Sequence, residues 1–288
     1  MLEVKNLSHV YMPGTPFQVE ALKEISLKIE KGEFVGIIGE TGSGKSTLVQ
    51  HLNGLLRPTS GDVLLDGCSI WSGKVNMRAI RSRVALLFQY PEHQLFEETV
   101  YKDVAFGPRN LGLDEKELQK RVRYGLEQME LDYESYKDRS PFSLSGGEKR
   151  RVAMAGILAM KPEVIILDEP TAGLDPAGRR QLLALIEKLH SEEKLTVIMV
   201  THNMDEVSRL ANRLFVFSAG RLVLQGEPAV VFNSPQKIKE IGLELPVLSE
   251  LLLKLKDSGK NIRTDLFTVE EVGKEILEYF RGGRSCKV

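Results

Sequence analysis

The chain has 288 residues, enough for one large α/β domain with a small appendage. Hydrophobic residues make up 42% and charged residues 27%, and 39 Lys+Arg against 40 Asp+Glu leave a formal net charge of -1, without the basic excess or stripe of a nucleic-acid binder. The two cysteines, Cys68 and Cys286, sit in unrelated contexts and offer neither a disulfide framework nor a cysteine metal site.

In chain order, residues 2–5 and 24–29 alternate in character and read as strands. Before them, Met1-Leu2-Glu3-Val4-Lys5 lacks the pattern of a signal peptide. Phe34-Val35-Gly36-Ile37-Ile38 is a short apolar run that stops at a glycine-rich loop, and an apolar-periodic stretch starts at Thr47, which predicts strand, loop and helix. Continuous apolar runs at Val84 to Phe88, Val164 to Leu167 and Thr196 to Val200 predict strands buried on both faces of a parallel sheet. Between the last two, Leu182, Leu183, Leu185, Ile186 and Leu189 share one helix face. From about residue 91 to 160 the pattern is mainly helical, with Leu118, Val122, Leu126 and Met129 at helical spacing, so a helical subdomain is inserted into the α/β core.

The character changes again after about Glu227. Val247, Leu248, Leu251, Leu252 and Leu255 form an amphipathic stripe, and Thr268-Val269-Glu270-Glu271 is a capping box that opens a helix containing Val272, Ile276 and Phe280. The expectation is a main domain over 1–228 and a helical region over 229–288. No apolar run approaches the ~20 residues needed to cross a bilayer, so the chain is not expected to span a membrane, which leaves docking onto a protein that does open to it.

Gly39-Glu40-Thr41-Gly42-Ser43-Gly44-Lys45-Ser46 matches the phosphate-binding loop pattern in full. Glycines let the backbone curl so that its N–H groups face an anion, and the following helix presents its positive dipole end to the same anion. Lys45 then reaches the β and γ phosphates of ATP and the Ser46 hydroxyl ligates Mg²⁺. Asp168 and Glu169 end an apolar strand, where an Asp helps hold Mg²⁺ and an adjacent Glu orients the attacking water.

At this point the chain resembles the ATP-binding cassette superfamily over residues 1 to about 230. Leu144-Ser145-Gly146-Gly147-Glu148 resembles the signature motif, with Glu148 where Gln is commoner. The resemblance implies that Ser145, Gly146 and Gly147 contact ATP held by another subunit, so that a head-to-tail, two-fold pair completes two sites. It also implies that Gln89 is the Q-loop glutamine near Mg²⁺, that Gly173-Leu174-Asp175 is the D-loop, with Asp175 acting across the interface, and that His202 is the switch histidine. Tyr11 is the candidate for stacking on adenine. The nucleotide-binding set is Tyr11, Gly39, Thr41, Gly42, Ser43, Gly44, Lys45, Ser46, Thr47 and Gln89; the catalytic set is Lys45, Glu169 and His202; the metal set is Ser46, Gln89 and Asp168.

Gln89 to Val100, Ser140-Pro141-Phe142-Ser143 and Ala153 to Met160 are similar to the ATPase subunits of energy-coupling factor transporters, most like the second of two paralogues. The resemblance implies a P-loop fold with a mostly parallel sheet, an antiparallel β subdomain, an inserted helical subdomain and a small helical tail. It implies a second ATPase subunit, identical or paralogous, a transmembrane coupling protein, a substrate-binding membrane subunit, no nucleic acid, and a peripheral position on the cytoplasmic face of the cell membrane. Tyr90, Glu92, Leu95 and Phe96 are expected to line the groove that receives the membrane partner. The alternative is a soluble ATPase of DNA repair or translation, against which stand the single motif set and the lack of sustained heptads between Ser46 and Leu144.

Overall fold

In a computed structural model that describes residues 1–73 and 75–282, the strands are β1 (Leu2–Tyr11), β2 (Val19–Ile29), β3 (Phe34–Gly39), β4 (Ser60–Leu65), β5 (Cys68–Ser69), β6 (Val84–Leu87), β7 (Val164–Asp168), β8 (Thr196–Val200), β9 (Arg213–Ser218) and β10 (Arg221–Gly226). The helices are α1 (Lys45–Leu52), α2 (Met77–Arg83), α3 (Val100–Asn110), α4 (Glu115–Gln128), α5 (Tyr133–Tyr136), α6 (Gly146–Ala159), α7 (Pro176–Glu193), α8 (Met204–Leu210), α9 (Pro228–Phe232), α10 (Pro235–Glu240), α11 (Val247–Asp257) and α12 (Val269–Gly282). The chain packs as two units, one of Met1–Phe34 with Ser46–Val200, the other of Val35–Lys45 with the chain from Thr201 onward.

In the first unit an antiparallel sheet has the order β2-β1-β4-β5. Strands β1 and β2 run well beyond the expected 2–5 and 24–29. Asn6 and Glu24 take positive φ values of 45° and 51°, and the register shifts between Val4 and Leu7, so the alternation breaks although pairing continues to Tyr11 and Val19. Parallel strands β6, β7 and β8 pair in that order, with Val84 opposite Val164 and Ile165 opposite Val197. Their side chains are nearly all buried, which is why the sequence runs are continuously apolar.

Between β6 and β7 lies the helical insert, α3 to α6. Helices α4 and α6 cross so closely that a Cβ added at Gly125 would lie 2.4 Å from the Ala155 carbonyl oxygen, so only glycine fits there. Leu118, Val122 and Leu126 on α4 are buried, and Met129 caps it.

The second unit contains β3 paired parallel to β9, and β9 paired antiparallel to β10. The hairpin turns on Ala219 and Gly220, both at positive φ (49° and 79°), as a two-residue turn of this hand requires. In the tail, Leu252, Ile262, Leu266 and Val272 form a buried cluster with Leu248, Leu255 and Ile276 against it. The expected stripe is thus only partly core: Val247, Leu251 and Phe280 are exposed. The capping box is present, Thr268 Oγ1 donating to Glu271 Oε2 at 2.8 Å and Glu271 N donating back to Thr268 Oγ1 at 3.2 Å.

The tail also reaches the glycine-rich loop. A Cβ added at Gly242 would fall 1.6 Å from Glu40 Oε1, and Val247 N donates to Asp205 Oδ1 at 2.8 Å. Among the described residues no helix is long and apolar enough to cross a membrane. Cys68 is exposed, and Cys286 lies outside the described residues.

Candidate nucleotide site

Strand β3 is buried along its whole length and delivers the chain to Gly39. At Gly39 φ is 154°, and an added Cβ would meet the Phe217 carbonyl oxygen at 2.3 Å, so the loop begins where no side chain fits. Gly42 and Gly44 take φ values of 81° and 101°, which non-glycine residues rarely adopt, and the turn is closed by Ser43 N donating to Glu40 O at 3.1 Å. From the β9–β10 turn, Gly220 N donates to Ser43 O at 3.1 Å and ties the loop to the hairpin. Lys45 is buried, and its Nζ donates to Gly39 O at 2.7 Å and Glu40 O at 2.8 Å. The loop therefore folds around its own buried ammonium group.

His202 is exposed in the same unit, just before α8, whose N-cap Asn203 accepts from Glu206 N. Thr201, the residue before His202, donates its N–H to Ile37 O of β3 at 3.3 Å. In this unit the loop from Gly39 to Lys45 leaves β3, and the residue before His202 is hydrogen-bonded to the same strand.

The first unit carries the remaining candidates. Ser46 is exposed at the start of α1, and Thr47 Oγ1 lies 3.3 Å from the Tyr11 hydroxyl. Tyr11 is 37% exposed, so part of its ring is open to a ligand. Beneath it, the His9 ring meets the rings of Tyr11 and of His51, each at 4.6 Å. His51 is fully buried; its Nδ1 pairs with Thr47 O at 2.7 Å, and burial pushes its pKa down to about 4.

Gln89 is exposed beyond the end of β6, and Tyr90 follows in the left-handed region at φ 57°. Asp168 ends β7, and Glu169 is left-handed at φ 51°, a conformation that costs a non-glycine residue about 1 kcal/mol. It is held by Glu169 N donating to Val200 O at 2.9 Å and by Ala172 N donating to Glu169 O at 3.1 Å. Asp175 is the N-cap of α7, its Oδ1 accepting from Gly178 N at 2.7 Å. Ser46 hydroxyl, Gln89 amide oxygen and Asp168 carboxylate are all hard oxygen donors, the chemistry that suits Mg²⁺.

Ser145 is the N-cap of α6 in a capping box: Glu148 N donates to Ser145 Oγ at 3.3 Å, while Ser145 N and Oγ donate to Glu148 Oε2 at 2.8 and 2.7 Å. Gly146 and Gly147 follow in the first turn with open space at their Cβ positions, so an anion can approach the helix end. The Tyr136 hydroxyl donates to Glu148 Oε1 at 2.7 Å. These donors, Tyr136 first and then Ser145, hold the Glu148 carboxyl down to about 2.

Sequence reasoning missed Arg150 and its pairing with Glu92. Arg150 shares the buried face of α6 with Met154 and Leu158, and an arginine in phase with an apolar stripe is a signal that could have found it. Its partner is Glu92, whose carboxylate turns inward rather than into a docking groove. A groove of about 460 Å³ does lie alongside, lined by Leu95 and Phe96 as expected, but with Phe106, Leu111, Ala153 and Met160 in place of Tyr90 and Glu92.

The fold and the order of these motifs define an ATPase of the ATP-binding cassette type. A family profile described as ABC transporter matches residues 22–172, and the chain belongs to that family, within its energy-coupling factor ATP-binding proteins. It is 52% identical over 280 residues, covering 97% of this chain and 98% of the relative, to the energy-coupling factor transporter ATP-binding protein EcfA2 of Clostridium perfringens. It is 52% identical over 284 residues, covering 98% and 99%, to the protein of the same name from Clostridioides difficile. Among solved structures, CbiO1 of Clostridium perfringens, part of the ABC transporter complex CbiONQ, superposes with a TM-score of 0.73 at 41% identity, over 88% of this chain and 98% of that one. The dimeric cassette MJ0796, in a post-hydrolysis state with ADP and phosphate, superposes with a TM-score of 0.69 at 30% identity, over 79% and 99%. The chain is an ATP-binding subunit of a transporter, and an ATPase.

Proposed function

We propose that this subunit powers uptake of a small micronutrient, a vitamin or a transition-metal ion, by pairing with a second ATPase subunit on the cytoplasmic face of the membrane and driving a transmembrane coupling protein and its substrate-binding subunit. The observation that carries this reading is near-full-length similarity to energy-coupling factor ATPases, tail included. The apolar groove flanked by exposed Phe96 and Phe106 gives a membrane partner's helix somewhere to dock.

In this reading Gly39, Thr41, Gly42, Ser43 and Gly44 direct N–H groups to the phosphates, Lys45 pairs with the β and γ phosphates, Thr47 supports the loop, and Tyr11 stacks on adenine. Ser46, Gln89 and Asp168 hold Mg²⁺, which neutralises charge on the β and γ phosphate oxygens when bound. Glu169 orients a water whose oxygen attacks the γ phosphorus as the bond to the β–γ bridging oxygen breaks, and His202 contacts the γ phosphate. Ser145, Gly146, Gly147 and Asp175 serve the partner subunit's nucleotide. ATP closes the pair, and hydrolysis with product release reopens it.

Purification of the tagged full chain from detergent-solubilised membranes is expected to recover a second ATPase subunit and hydrophobic membrane proteins, identified by mass spectrometry. Glu169→Gln in that complex is expected to slow turnover by about 10²-fold or more and to trap an ATP-bound pair. A chain that co-purifies only with ribosomes or DNA, or a Glu169→Gln complex with undiminished turnover, would overturn the reading.

A further inference from the structure

Arg150 lies in the second turn of α6 and is 2% exposed. A buried guanidinium needs acceptors for its donors, and this one finds them in two other segments. Nε donates to Glu92 Oε2 at 3.2 Å, and Nη2 donates to Glu92 Oε1 and Oε2 at 3.0 Å each. Nη1 donates to Pro170 O at 2.9 Å and to Ala172 O at 2.8 Å.

The division of these bonds is informative. Glu92 belongs to the short 3-10 turn Pro91–Gln94, which follows Gln89 and runs directly into the groove residues Leu95 and Phe96. Pro170 and Ala172 belong to the tight turn that begins at Glu169, whose carbonyl accepts from Ala172 N. That turn continues through Leu174, whose N–H donates to Thr171 O, to Asp175 at the head of α7. The helix that carries Arg150 is headed by Ser145 and supplies Ala153, Gly156 and Met160 or their neighbours to the groove wall. One side chain therefore joins the groove, the helix that begins at Ser145, and the backbone that sets the left-handed conformation of Glu169.

Burial requires acceptors for every donor of the guanidinium, and what matters is which ones it finds. Here Nη1 is given over to two backbone carbonyls on either side of Thr171, and both lie in the turn that aims Glu169. We propose that Arg150 is a positioning residue for ATP hydrolysis: it transmits the placement of Glu92, and with it of the groove wall, to the Glu169 turn. A shift of the Pro91–Gln94 turn by a docked helix moves the carboxylate, the guanidinium follows its bidentate partner, and the carbonyls of Pro170 and Ala172 move with it. This rests on the role proposed above for Glu169.

The test uses the full chain in its purified membrane complex, comparing Arg150→Lys, the double variant Glu92→Gln with Arg150→Gln, and Glu169→Gln. Lysine keeps the charge but cannot reach the carboxylate and both carbonyls together. Arg150→Lys is expected to keep KM for MgATP within about twofold while kcat falls at least about tenfold, as small misplacements of catalytic groups do. In the double variant a neutral amide pair replaces the ion pair, so the melting temperature returns toward the wild-type value while kcat stays low. Unchanged kcat in Arg150→Lys, or kcat that recovers together with the melting temperature in the double variant, would overturn the inference. Full turnover in Glu169→Gln would overturn the role of Glu169 and this inference with it, whereas slow Glu169→Gln beside fast Arg150→Lys overturns this inference alone.

Discussion

Helices α1 and α6 both begin where a chain presents glycines and a serine to an anion, yet they are prepared in opposite ways. At α1 the glycine-rich loop wraps an ammonium group, with Lys45 Nζ on the carbonyls of Gly39 and Glu40. At α6 the hydroxyl of Ser145 is engaged by a carboxylate, Glu148, which also holds Ser145 N–H and the Tyr136 hydroxyl. At the first helix start the group that faces the loop is a cation held by backbone carbonyls. The second must release a proton donor from an anion before it can grip another anion. In the function proposed above, the difference means that one end binds its own nucleotide directly, whereas at the other the partner subunit's nucleotide competes with Glu148 for a single hydroxyl hydrogen.

The comparison is broken most completely by Lys45→Ala. Removing the ammonium takes away the preformed positive charge at α1 and is expected to lower kcat/KM by about 10²- to 10³-fold, read from initial rates against MgATP concentration. The effect is expected to be far larger than that of any single change at Glu148.

Glu148→Gln sharpens it. A neutral amide oxygen at 148 accepts more weakly from the Ser145 hydroxyl than a carboxylate does, which loosens its hold on the hydrogen that a phosphate needs. ATP-driven pairing is expected to tighten several-fold, about 1 kcal/mol, when measured by analytical ultracentrifugation in the Glu169→Gln background. Weaker pairing would show that Glu148 assists the grip rather than competing with it.

The smallest effect concerns the support beneath α1. His51 is buried and neutral, with its pKa lowered from 6.5 to about 4. In the unfolded chain it takes up a proton near its ordinary pKa, so the unfolded state binds more protons between pH 6.5 and 4 and stability rises with pH across that window. The contribution is on the order of 2 kcal/mol. His51→Gln is expected to flatten the rise in denaturant midpoint between pH 4 and 6.5, with little change above pH 7; an undiminished slope would assign the pH dependence elsewhere. Glu148, with its carboxyl near 2, acts mainly below that window, because its stabilisation is lost as pH falls from about 4.5 toward 2.

The local requirements of the site were legible in the amino-acid order. Gly39, Gly42 and Gly44 stand where backbone conformation or a close carbonyl admits nothing else, and apolar runs bounded by Asp168 and Thr201 announce buried strands. Elements whose cause is tertiary were not. The full lengths of β1 and β2 are interrupted by left-handed Asn6 and Glu24, which scramble the alternation. The β9–β10 hairpin turns on Ala219 and Gly220 rather than on the Asn-Gly pair that marks such turns most plainly. The pairing of Glu92 with Arg150 leaves no trace in the local pattern, because the partner lies 58 positions away on another element. The burial of His51 follows from packing under Tyr11 and His9, which no spacing rule reveals.

The contact between Gly242 and Glu40 carries a practical consequence. No bulk can be added at position 242 without displacing the Glu40 side chain, the second residue of the loop that receives the triphosphate. A label placed close to the end of α10 therefore moves the exposed end of the Glu40 side chain, beside the loop, whereas one attached near the far end of α12 leaves that junction alone. Anyone labelling this subunit should choose the distal position, which keeps the Glu40 side chain where the tail leaves it.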